Sequence, residues 1–152
     1  MSDTVWIIIE TAIDYYQGFI MCFFIYRSLM PRNERAEKIL LPIFAAAFGS
    51  AVLILNRISV YEGAASAIYI LLLFAYSAAA FRDKYVKKLL ASVIPVAVLL
   101  LVTTIELNLI SSIKGISLTE LIYSRGALRL LTLLIIQVSV AGALMLILKM
   151  FR

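Results

Sequence analysis

The sequence has no histidine, a single cysteine and few charges, and each shortage removes a class of function. Without histidine there can be no His-based metal site, no Ser/His or Cys/His nucleophile and no phosphohistidine. Cys22 is alone, so no internal disulfide can form. The sequence also lacks a Gly-rich phosphate loop and a DNA-reading element. We therefore expect no metal, no cofactor, no catalytic residue and no nucleic-acid partner, and hence no enzyme in this chain.

Apolar residues dominate what remains. Of the 152 residues, 64% are hydrophobic and 15% are charged, and the mean hydropathy is +1.04. A soluble globular domain is about half apolar and about one quarter charged. A core this small cannot bury such an excess, so the composition predicts a protein whose solvent is lipid, in the cell (plasma) membrane.

Five apolar stretches are long enough to cross a bilayer, which takes about 20 residues of helix. The predicted fold is therefore all-α, a polytopic membrane bundle of five transmembrane helices. We place these helices at residues 5–27, 38–56, 63–81, 87–111 and 127–150. The connections are too short for a soluble domain, so residues 1–152 form a single transmembrane domain.

The longest connection contains a helix signal of its own. Ser117-Leu-Thr-Glu120 fits a capping box, in which the Ser and Glu side chains satisfy the first free amides of a helix. This pattern predicts a short helix at residues 117–124 that lies in the membrane interface. The alternative is that this segment extends the fifth helix beyond the bilayer.

The basic residues predict the orientation of the bundle. Ten of the fourteen fall on one side of the predicted membrane and four on the other. Because Lys and Arg accumulate in cytoplasmic loops, the side with ten is expected to be cytoplasmic. The N-terminus is then outside and the C-terminus is cytoplasmic. The ten are Arg27, Arg32, Arg35, Lys38, Arg82, Lys84, Lys87, Lys88, Lys149 and Arg152.

Polar residues inside the apolar stretches are the candidate site. A lone charge in mid-membrane costs about 2.5–3.5 kcal/mol on insertion scales, so such groups are expected to turn inward and pair. The orientation places three acids and two arginines in one outer layer, which predicts a polar network or ligand pocket. A purely structural link between helices is the alternative. The candidate residues are Glu10, Asp14, Gln17, Glu106, Asn108, Arg125 and Arg129.

Several segments together resemble the N-terminal membrane sensor region of GHKL-type sensor histidine kinases of Gram-positive bacteria, the group that contains the accessory-gene-regulator receptors. These segments are Trp6-Ile-Ile-Ile-Glu10, the turn Phe81-Arg82-Asp-Lys-Tyr-Val-Lys-Lys88, Thr104-Ile-Glu106, Gly115-Ile-Ser-Leu-Thr-Glu-Leu121 and Leu128-Arg129-Leu-Leu131. In that family the last helix continues into dimerisation, phosphotransfer and ATPase modules, which this chain does not contain.

The resemblance implies a homodimeric receptor in the bilayer that detects an extracellular peptide or small-molecule signal. Its last helix would relay the signal to a cytoplasmic histidine kinase module. Two other functions remain open. One is a small ion- or proton-coupled transporter, or a transporter subunit, that uses the intramembrane carboxylates. The other is a structural assembly partner that needs only its packing surfaces.

Overall fold

The computed structural model describes residues 3–58, 62–124 and 126–150, and all regular structure in these ranges is helical. The connections between the helices are short. The six helices are α1 (Asp3–Ser28), α2 (Glu34–Ile58), α3 (Glu62–Ala80), α4 (Tyr85–Lys114), α5 (Leu118–Tyr123) and α6 (Ala127–Met150).

The prediction of five spanning helices is confirmed, since α1, α2, α3, α4 and α6 are each long and apolar enough to cross a membrane. Only 22–33% of the most apolar part of each helix is buried within the chain. The remaining apolar surface is suited to contact with lipid, which indicates a multi-pass membrane protein. Three helices are longer than predicted: α1 begins at Asp3 instead of residue 5, α2 begins at Glu34 instead of residue 38, and α4 ends at Lys114 instead of residue 111.

Helix α1 contacts all four of the other spanning helices. Helix α2 packs on α1 and α3, and α6 packs on α1 and α4, but α2 and α6 do not touch each other within the described residues. The other four spanning helices therefore form a ring in the order α2, α3, α4, α6. The ring is open between α2 and α6, and α1 packs against both of these helices. Any polar group on α1 consequently has a choice of partners from several helices.

The closest packing in the bundle is between α1 and α2, at two glycines. A Cβ atom added to Gly18 would lie 2.7 Å from the carbonyl oxygen of Ala45 and 2.8 Å from the backbone nitrogen of Gly49. A Cβ atom added to Gly49 would lie 2.9 Å from the Cα of Tyr15. Because these neighbours are backbone atoms, they cannot move aside, and both positions need glycine. The Ala45/Gly49 spacing therefore serves packing within one chain.

The connections α1–α2 and α3–α4 are bonded to each other at what we call the C-terminal end of the bundle, the end where α1 and α6 finish. Pro31 and Phe81 form an antiparallel bridge. Its two hydrogen bonds come from neighbouring residues: the Arg32 amide donates to Ala80 O (2.9 Å), and the Arg82 amide donates to Met30 O (3.0 Å). Pro31 is tolerated because the bridge does not require its missing N–H.

Asp83 strengthens this junction. Its carboxylate accepts hydrogen bonds from the Met30 amide at 2.5 Å and from the Lys87 ammonium at 2.8 Å. Burial alone would raise the pKa of Asp83, but the Lys87 and Met30 interactions outweigh burial and hold the pKa below its ordinary value. Asp83 therefore links the two connections as an anion.

The opposite, N-terminal end of the bundle is closed by α5. Helix α4 ends at Gly115, whose φ of 65° is in the left-handed region that favours glycine. The Ser117 hydroxyl then accepts a hydrogen bond from the Glu120 amide (3.1 Å), which caps the start of α5 as the sequence predicts. Leu121 is buried whereas Tyr123 is 75% exposed. The extended backbone of Ser124 separates α5 from α6, so this segment is not an extension of α6.

The substitution Gly18→Ala should lower the thermal stability of the purified protein, because its Cβ would collide with the α2 backbone. Gly142→Ala is the matched control, since a Cβ there meets nothing within 4 Å, and alanine is favoured over glycine in a helix by about 1 kcal/mol. Melting in detergent should rank Gly142→Ala at or above the parent and Gly18→Ala clearly below it. Equal melting temperatures for the two variants would contradict the close α1–α2 contact.

Asp83→Asn should destabilise the protein at neutral pH, because it removes the anion that binds Lys87 and Met30. The pKa of Asp83 is lower in the folded than in the unfolded state, so its stabilisation is present above the unfolded pKa and is lost as the pH falls through the folded pKa. The stability difference between parent and variant should therefore shrink progressively below about pH 5. Unfolding measured across pH tests this, and Lys87→Gln should reproduce part of the neutral-pH loss. A difference independent of pH would contradict the charged role.

Candidate functional site

The first polar contact of the site joins the starts of α1 and α6. The Arg129 guanidinium donates to the Glu10 carboxylate at 2.7 Å, and its Cζ lies 5.4 Å from the centre of the Trp6 ring. The side chains of Arg129 and Glu10 are 21% and 35% exposed, whereas Trp6 is 1% exposed. An ion pair thus lies at the edge of the bundle, above a buried aromatic ring.

The second contact is deeper and joins α1 to α2. Asp14 is 7% exposed, and its carboxylate accepts a hydrogen bond from the Asn56 amide at 3.3 Å. With about 1.5 Å of rise per residue, Asp14 lies about 17 Å from the start of α1 and about 21 Å from its end. This is near the middle of the helix, where a carboxylate costs most. The single long hydrogen bond from Asn56 offsets little of that cost.

The third contact returns to α6. The Gln137 amide donates to the Gln17 carbonyl oxygen at 3.2 Å, and both side chains are buried. The Gln137 carbonyl oxygen is buried and has no hydrogen-bond partner. Because lipid hydrocarbon cannot hydrogen-bond to an amide, the contact between the Gln17 and Gln137 side chains is favoured over exposing either of them to lipid.

We call these three contacts the polar ladder: Glu10–Arg129, Asp14–Asn56 and Gln17–Gln137. They occupy about 10 Å along α1, and both contacts with α6 join residues whose numbers differ by 119 or 120. A constant difference shows that α1 and α6 run parallel and in register. The ladder fixes the rotation of α1, since a turn about its axis would break contacts with two helices at once.

Two further buried polar atoms in the N-terminal half of the bundle have no hydrogen-bond partner among the described residues. They are the indole N–H of Trp6 and one carboxylate oxygen of Glu106. Buried polar atoms are nearly always hydrogen-bonded in folded proteins, and leaving one unbonded costs about 1–3 kcal/mol. The Trp6 N–H can donate a hydrogen bond to a further polar group, and this Glu106 oxygen can accept one.

The predicted site residues are only partly brought together. Glu10, Asp14, Gln17 and Arg129 all belong to the polar ladder, whereas Glu106 forms no ion pair in the described part of the chain. Asn108 is exposed and donates to Thr104 O in its own helix (2.7 Å), so no contact joins it to the ladder. Arg125 lies outside the described residues.

Sequence reasoning missed Trp6, Asn56 and Gln137 as parts of this site. Gln137 interrupts an apolar stretch and Asn56 lies at the end of another, which was a usable signal, but a single sequence does not show which helices are neighbours. Only the fold shows that the Trp6 ring lies beneath Arg129.

Comparisons with family models, with characterised proteins and with solved structures returned no match to this chain. The geometry of the polar ladder therefore has to support any functional proposal by itself.

A double-mutant cycle on Glu10→Gln and Arg129→Gln should give a coupling free energy toward the low end of about 0.5–3 kcal/mol, because the pair is in contact but partly exposed. Unfolding in detergent is a suitable measurement. The matched cycle pairs Arg129→Gln with Glu106→Gln, whose carboxylate makes no ion pair with Arg129, and should be nearly additive. Stronger coupling to Glu106 than to Glu10 would contradict the described pairing.

Proposed function

We propose that this chain is a membrane sensor domain whose N-terminus is outside and whose C-terminus is cytoplasmic. Ten of its fourteen basic residues belong to the C-terminal end, and a basic excess is typical of the cytoplasmic side. The hydrogen bonds between the α1–α2 and α3–α4 connections support this orientation, because they hold the two most basic segments on the same side of the bundle.

The signal site of this proposal is the Glu10–Arg129 pair with Trp6, and its partial exposure is the observation that carries the proposal. A ligand with an anionic group would compete with Glu10 for Arg129, and the unbonded Trp6 N–H offers a second donor. The Glu10 carboxylate released from Arg129 would favour a cationic group on the same ligand. A peptide carries both kinds of group, so a peptide or a similar small molecule is the proposed signal.

The proposed relay is a movement of α6 against α1. Releasing Arg129 from Glu10 removes one of the two polar contacts that hold the helices in register, while Gln17–Gln137 remains as a pivot. Ligand binding can transmit a signal only if it favours one of two such packings. Helix α6 extends to the C-terminal end, so its displacement would reach a cytoplasmic histidine kinase module joined there, which is the arrangement that the family resemblance implies. Such kinases act as dimers, and a homodimer is part of the proposal.

The direct test joins residues 1–152 to a histidine kinase reporter in cells exposed to secreted peptides. Arg129→Ala and Asp14→Ala should alter the response while membrane insertion and expression remain intact. Lys114→Gln is the control, since it removes a positive charge from the same end of the bundle at an exposed position away from the ladder. Normal responses from both ladder variants, or an equal change in the Lys114 control, would reject the site.

Asp14 favours a second function, that of an ion- or proton-coupled transporter or transporter subunit. A carboxylate near the middle of α1 with a single amide partner is typical of proton and cation pathways. Reconstituted protein would then release or take up protons when substrate is added, and Asp14→Asn would abolish this change. A sensor would show no such proton flux.

A further inference from the structure

A groove between α1 and α6 opens on the outer surface at the C-terminal end of the bundle. It has a volume of about 520 Å³, within the range of about 300–1,000 Å³ that is typical of ligand sites. Most of the exposed lining is apolar, and two of the lining side chains are cationic. The lining residues are Arg27 from α1 and Gly142, Met145, Leu146, Leu148 and Lys149 from α6.

Two cations line the groove, one from each helix. Arg27 and Lys149 are exposed, and neither forms an ion pair with an acidic side chain in the described ranges. The Arg27 guanidinium lies 5.9 Å from the centre of the Phe23 ring, one helical turn closer to the middle of α1. The charge is therefore directed back toward the hydrocarbon, where an unpaired cation is costly. An anion at the level of the headgroups would remove this cost.

Gly142 makes the groove deeper because it has no side chain to occupy it. A Cβ atom added there would meet nothing within 4 Å, so the helix backbone itself forms part of the floor. Leu146 and Met145 are exposed beside it. The groove thus combines apolar surface with two cations, which matches the chemistry of one lipid molecule: a hydrocarbon chain below an anionic headgroup.

We propose that this groove is a binding site for an anionic phospholipid, with the phosphate between Arg27 and Lys149 and an acyl chain along Gly142 and Leu146. Basic pockets between transmembrane helices bind anionic headgroups in this way. Arg27 lies 17 residues after Glu10 along α1, so the site is distinct from the Glu10–Arg129 pair and does not depend on the proposed sensing role.

Charge argues against a second copy of the chain as the occupant. In a two-fold dimer through this face, Arg27 and Lys149 of one protomer would meet the same groove of the other. Four cations would then share one interface without acidic partners, and such like-charge contacts are costly. A lipid phosphate brings the complementary charge instead.

The test measures lipids retained by the purified full chain in native mass spectrometry, with phosphatidylglycerol or phosphatidylcholine added. The parent protein should retain more phosphatidylglycerol than phosphatidylcholine. Arg27→Gln combined with Lys149→Gln should weaken this binding at least about tenfold, given about 1 kcal/mol per basic residue. Lys38→Gln combined with Lys84→Gln is the control, since it removes the same charge from exposed positions at the same end. Equal losses from both double variants would overturn the proposal in favour of diffuse attraction.

Gly142→Leu tests the groove without changing any charge. It should fold, because its side chain enters open space, and melting in detergent confirms folding. It should also lose most of the retained phosphatidylglycerol, since the leucine occupies the place of the acyl chain. Full retention by this variant would overturn the proposal. Disulfide capture of two copies through Leu146→Cys in lipid bilayers, with Cys22→Ser, would overturn it as well, because a second protomer would then fill the groove.

Discussion

The arrangement of this bundle depends on one constraint: α1 carries three polar side chains within an otherwise apolar spanning helix, and two of them, Asp14 and Gln17, are buried. Glu10, Asp14 and Gln17 follow one another along a single helix. Leaving any of them in lipid would cost more than a typical hydrogen bond between transmembrane helices returns, which is about 0.6 kcal/mol. The bundle meets this constraint by surrounding α1 with helices and giving each polar group a partner from α2 or α6.

That constraint has consequences for packing on both sides of α1. Toward α2 the backbones approach until Gly18 and Gly49 leave no space for a side chain. Toward α6 the polar contacts are confined to the N-terminal half and the middle of the helices. In the C-terminal half the buried residues that both helices contribute to the core are apolar, and they include Ile25 of α1 and Leu144 of α6. The helix pair proposed to relay a signal thus combines polar contacts toward its N-terminal end with apolar packing toward its C-terminal end.

Much of the fold could be predicted from the sequence, because apolar length alone locates the spanning helices and a capping box locates α5. The site was harder to predict. Glu10 and Arg129 were recognisable as charges that had to be paired, but their partners depend on which helices are neighbours. Asp14 was expected to join Glu10 in the outer polar layer, whereas its hydrogen bond comes from Asn56 of α2. Helix ends depend on caps such as Gly115, which apolar length does not detect.

The parallel register of α1 and α6 is the central feature of this bundle, and cysteine cross-linking in membranes tests it directly. In a Cys22→Ser background, Gln17→Cys with Gln137→Cys keeps the other two contacts of the polar ladder and should cross-link rapidly within one chain. Ile54→Cys with Val138→Cys joins α2 to α6, which do not touch, and should remain unlinked. Efficient cross-linking of the second pair without the first would contradict the central position of α1 and the polar ladder with it.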